Sequence, residues 1–85
     1  MGYIELDTIT FTTAPGSNQA VNVQYKLVVA ASYTSFPGPN NVLVSGTTGT
    51  FSPTLYISPL ATGSYMVTIT PTCGGSPITQ TYNVP

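Results

Sequence analysis

Between residues 21 and 29 every second side chain is apolar: Val21, Val23, Tyr25, Leu27 and Val29, with Asn22, Gln24 and Lys26 among the residues between. A period of two puts those apolar groups on one face of an extended chain, whereas a helix would scatter them. The same pattern returns over residues 64–70, where Tyr65, Val67 and Ile69 point one way and Met66, Thr68 and Thr70 the other. It returns again over 78–84, with Ile78, Gln80, Tyr82 and Val84 set against Thr79, Thr81 and Asn83. No window sustains a helical period, so the chain is expected to be all-β.

The N-terminal stretch changes phase. Ile4 and Leu6 share one parity and Ile9 and Phe11 the other, which predicts a bulge or a break near Asp7, with two short strands the favoured reading. Weaker strands are expected at 42–44 and 54–58. Turn-forming residues punctuate the chain at 14–18, 37–41, 46–49 and 74–75, where Gly, Pro, Asn and Ser concentrate. Short strands with turn signals at about 8–12-residue spacing predict a sandwich or barrel. With 85 residues the chain has room for one domain, 1–85, and one core.

Charge is nearly absent. Glu5, Asp7 and Lys26 make up 4% of the residues, where an ordinary soluble domain has about 25%. The polar surface must come from fifteen threonines, eight serines and scattered Asn and Gln. Such a surface has little electrostatic repulsion to keep copies apart and suits a protein packed against neighbours. One cation is too few for a nucleic-acid footprint, so no nucleic acid is expected as a partner. No apolar run reaches the roughly 18 residues of a membrane-spanning helix, so no membrane insertion is expected. The opening residues are acidic where a signal peptide would be basic, and Leu6 stands where a myristoylation signal wants Ser or Thr.

Catalytic chemistry finds few residues to use. There is no histidine, and the two carboxylates stand two apart on one strand face. They read more readily as guards of an N-terminal edge strand than as a metal or acid–base pair, so neither a metal nor a cofactor is expected. Cys73 has no partner for an internal disulfide and reads as a small buried apolar group or an inert loop thiol. Repeated Thr-x-Thr motifs, as at Thr8/Thr10/Thr12 and Thr68/Thr70/Thr72, could order water on a regular solenoid. Their spacing is irregular, and Thr is a favoured solvent-face residue of strands. Tyr33, Phe36 and Tyr56 are the candidate partner contacts. The first two lie in or beside the Pro37-Gly38-Pro39 segment, and Tyr56 alternates outward from Leu55 and Ile57.

The segment Leu60-Ala61-Thr62-Gly63-Ser64-Tyr65-Met66-Val67-Thr68-Ile69 resembles the turn and penultimate strand of fibronectin type III and related bacterial Ig-like modules. Val23-Gln24-Tyr25-Lys26 resembles that family's central strand, and Cys73-Gly74-Gly75-Ser76 its hairpin loop in phage and bacterial surface proteins. The resemblance implies an immunoglobulin-like antiparallel sandwich of about seven strands. Leu60, Gly63 and Tyr65 would be its hallmark residues, with Tyr65 buried and its hydroxyl bonded to backbone near Leu60. The family usually has two residues between that Gly and Tyr, and here Ser64 stands alone. Its early core Trp is absent, with Phe11 in its stead.

Such modules serve as spacers, adhesion surfaces and virion decorations, and fold alone does not choose among them. The expectation is a non-catalytic structural or binding module. Its first reading is a phage virion component, a head or tail decoration or connector made in the host cytoplasm from its own Met1. Its partners would be capsid or tail proteins, or further copies of itself. The alternative is an extracellular spacer or ligand-binding module cut from a longer bacterial adhesin or carbohydrate-active enzyme. Carbohydrate binding through Tyr33 or Tyr56 is a third outcome.

Overall fold

The computed structural model describes residues 2–85 as six antiparallel strands with no helix. They are β1 (Gly2–Thr10), β2 (Gln19–Leu27), β3 (Thr34–Ser45), β4 (Thr48–Leu60), β5 (Gly63–Pro71) and β6 (Ile78–Val84). Met1, expected as the natural start, lies outside the described residues. The strands form one sheet in the order β1-β4-β3-β2-β5-β6. The sheet curls until its edge strands approach each other where Gly2 meets Val84, giving a nearly closed, barrel-like wall.

The all-β expectation holds, but the seven-strand sandwich does not: there are six strands in a single continuous sheet. The physical reason is the length of β3 and β4. Stretches that read as short strands separated by turns are continuous strands of 12 and 13 residues. Each changes neighbour partway along. β3 pairs with β4 only from Val42 to Ser45 and with β2 from Thr34 to Val42. β4 pairs with β3 only from Thr48 to Phe51 and with β1 at Leu55–Ile57 and Leu60 as well as at its start.

The changeovers are wide bulges. Asn22 of β2 stands alone opposite residues 37–39 of β3, and Asp7 of β1 alone opposite residues 51–54 of β4. Proline supplies no N–H to a ladder, so Pro37, Pro39 and Pro53 are accommodated where pairing lapses. The segment 37–41, expected as a turn, therefore lies inside β3, unpaired at 37–39 and paired with β2 at Asn40 and Asn41. The phase change near Asp7 follows from the same irregularity: β1 stays one strand rather than two, with both Ile4/Leu6 and Ile9/Phe11 buried. At the other end of β2 the expected alternation stops early. The strand ends at Leu27, and Val29 is 90% exposed in the turn instead of facing the core.

One apolar cluster fills the interior. Leu6, Ile57, Val67, Ile69 and Val84 are each at most 1% exposed. Each fully buried aliphatic chain of this kind contributes about 1.5–3 kcal/mol. Phe11 is buried too, its N–H donating to the Thr47 carbonyl at 2.7 Å. Loops are pinned by side chains rather than by sheet. The Gln19 amide accepts from the Cys73 N–H at 2.7 Å and donates to the Cys73 carbonyl at 3.3 Å. Gly74 and Gly75, at φ 98° and 89°, turn the chain against Pro15 in a conformation that disfavours any side chain.

Candidate functional site

The three aromatic contact candidates do not form one site. Tyr33 lies just before β3 on the outer face of the β2–β5 region. There its hydroxyl oxygen accepts from Thr68 Oγ1 at 3.1 Å, and Lys26 Nζ sits 5.5 Å from its ring centre. The Lys26 ammonium also donates to the Ala30 carbonyl at 2.9 Å and the Val28 carbonyl at 3.3 Å, closing the β2–β3 turn.

Tyr56 stands on the outer face of β1 and β4. Its hydroxyl donates to Glu5 Oε2 at 3.2 Å, and its ring meets that of Tyr3 edge-on at 5.7 Å. The hydrogen bond to the Glu5 carboxylate, followed by that carboxylate's charge, raises the Tyr56 pKa above the ordinary tyrosine value. Asp7, on the same face as Glu5, accepts from Thr54 Oγ1 at 3.3 Å. β1 is an edge strand of the sheet, the position in which these two carboxylates were expected.

Where β3 and β4 part, a cleft of about 360 Å³ opens. Half-buried Phe36 and buried Phe51 and Leu55 contribute apolar surface, Pro37, Pro39 and Pro53 stand on the two bulges, and Tyr56 completes the β4 side. This is within the roughly 300–1,000 Å³ range of ligand pockets, which are mainly apolar with a few placed polar groups. Phe36 and Tyr56 are thus brought to one cleft, while Tyr33 lies outside it.

Sequence reasoning missed Asn40. It is the only buried polar residue among those described, 8% exposed, and it lines the cleft. Its amide makes no hydrogen bond to the described protein, and none of its polar atoms is sealed from solvent without a partner, so they retain access through the cleft. Tyr3 was missed as well, although its parity with Glu5 and Asp7 places it outward. The available signal for the cleft is proline inside otherwise strand-like sequence, which on local grounds fits a turn as well as a parted pair of strands.

Cys73 is an exposed loop thiol rather than a buried group. No three His, Cys, Asp or Glu side chains gather among the described residues. The cleft offers an apolar floor and a free amide, and two of its lining side chains, Thr54 and Tyr56, donate to the Asp7 and Glu5 carboxylates just outside it, a combination suited to accepting hydrogen-bond donors and positive charge.

Fold and cleft together define a small all-β protein with a parted strand pair. Comparison with protein-family models, curated proteins and solved structures found no match to this chain.

Proposed function

We propose that this chain is a non-catalytic structural and binding module that works by packing against other proteins, as a small head or tail component of a phage virion. The observation that carries the reading is the outer surface. Tyr3, Val28, Val29, Tyr33, Leu43 and Tyr56 are all exposed, in a chain with three charged side chains. Aromatic residues are enriched and Lys, Glu and Asp depleted at protein interfaces. A surface of this kind gains by being covered.

A second reading, a module of a longer extracellular bacterial protein, is favoured by Tyr65. It is buried, and its hydroxyl donates to the Ala61 carbonyl at 2.9 Å, the arrangement that the fibronectin type III resemblance leads one to expect. The test is light scattering on a size-exclusion column over a range of protein concentrations. The virion reading predicts a defined oligomer, or one that grows with concentration. A particle of 8.9 kDa at every concentration would move the second reading ahead.

A further inference from the structure

We propose that the cleft between β3 and β4 takes an extended, arginine-containing segment of a partner protein, a surface assignment that rests on the binding-module reading above. Three observations converge on it.

The first is the unpaired main chain. Residues 37–39 and 52–54 have no ladder partner on either side, and three of these six are prolines without an N–H. The walls therefore present more carbonyl acceptors than donors, and an extended segment between two strand edges meets them in the manner of strand addition. The second is Asn40, more than nine-tenths buried, lining the cleft and without a hydrogen bond to the described protein. Its amide is open to solvent and offers both donors and an acceptor to a bound segment.

The third is charge. Glu5 and Asp7, the only acidic side chains, are hydrogen-bonded to Tyr56 and Thr54, both of which line the cleft. Lys26 is engaged with the Val28 and Ala30 carbonyls in the β2–β3 turn. Both negative charges of the chain thus stand beside the cleft, each one hydrogen bond from a lining side chain, and no lysine or arginine of the chain lines it. Arginine brings five N–H donors and no acceptor on a flat, weakly hydrated group that stacks on aromatic rings. It matches acceptor-rich walls, the neighbouring carboxylates and the Phe36 and Tyr56 surfaces together.

The test follows backbone amide NMR signals of the full chain during titration with Ac-Thr-Val-Arg-Val-Thr-NH2. The same peptide with Glu at its centre and the sugar cellotriose serve as separate probes. The expected result is saturable shifts at Phe36, Asn40, Asn41 and residues 54–56 with the arginine peptide alone. The E5Q/D7N double variant, changed only at exposed positions, should bind it about tenfold more weakly, as lost charge-assisted bonds imply. Asn40→Leu, checked for folding by the dispersion of the same spectra, should also weaken it.

Absence of these shifts up to about 10 mM peptide, weaker than any useful docking affinity, would overturn the assignment. So would equal binding of the glutamate peptide, or cellotriose moving these signals where the arginine peptide does not. Self-association that persists in E5Q/D7N while the arginine peptide fails to bind would remove the cleft and leave the binding-module reading standing.

Discussion

The Tyr65 hydroxyl reaches back four residues to the Ala61 carbonyl, across the turn that joins β4 to β5. Its ring is buried, so Tyr65→Phe leaves the packing in place and deletes one partner. The expected loss is about 1 kcal/mol in urea unfolding, the usual net worth of such a bond. Tyr82 makes a different kind of statement. Partial burial raises its pKa above the ordinary tyrosine value because the phenolate is poorly solvated there. The unfolded chain therefore releases this proton first, at about pH 10. Above that point the folded state holds more protons, and stability falls as pH rises; below it the effect vanishes. Tyr56, raised by the Glu5 carboxylate, adds a change of the same sign. Unfolding midpoints measured from about pH 9 to 11 should drop more steeply for the parent chain than for Tyr82→Phe.

At the scale of elements, the β3–β4 hairpin is short in pairing and tight in packing. Gly49 is buried one residue pair from its turn, and a Cβ there would stand 2.7 Å from both a Phe11 ring carbon and a Val42 methyl. Gly49→Ala should therefore destabilise the fold by about 1–3 kcal/mol, the usual range for an overpacked core, as measured by denaturant midpoint. β5 and β6 were legible in the sequence because alternating residues there face a single interior. Tyr65, Val67, Ile69, Ile78 and Val84 are all buried as their parity implied. β3 and β4 were not, because their bulges at Pro37–Pro39 and Ser52–Thr54 break parity, and local sequence does not say that the strand resumes beyond. For the same reason the aromatic candidates were found singly, whereas the cleft that joins Phe36 to Tyr56 was not. Asn40 carried no signal at all, since an asparagine beside Gly and Pro is ordinary turn chemistry.

Over the whole molecule, 35 × 24 × 19 Å in extent, the first strand begins where the last one ends. Gly2 packs so closely on Val84 that a side chain added at Gly2 would overlap it, and that added Cβ would lie 3.8 Å from the Pro85 carbonyl oxygen. A circular permutant that links these ends through a short glycine bridge and reopens between exposed Ala31 and Ser32 should fold, because no strand is cut. Its thermal melt and β-sheet circular dichroism should stay close to those of the parent; an unfolded permutant would show that the ends are not neighbours in solution. The geometry also bears on how the module would hang from a longer polypeptide. Flanking chain would arrive and depart through one narrow neck, so the domain would add almost none of its 35 Å to the distance between its neighbours. It would behave as a pendant knob carried to the side of a thread, and would make a poor length of rope.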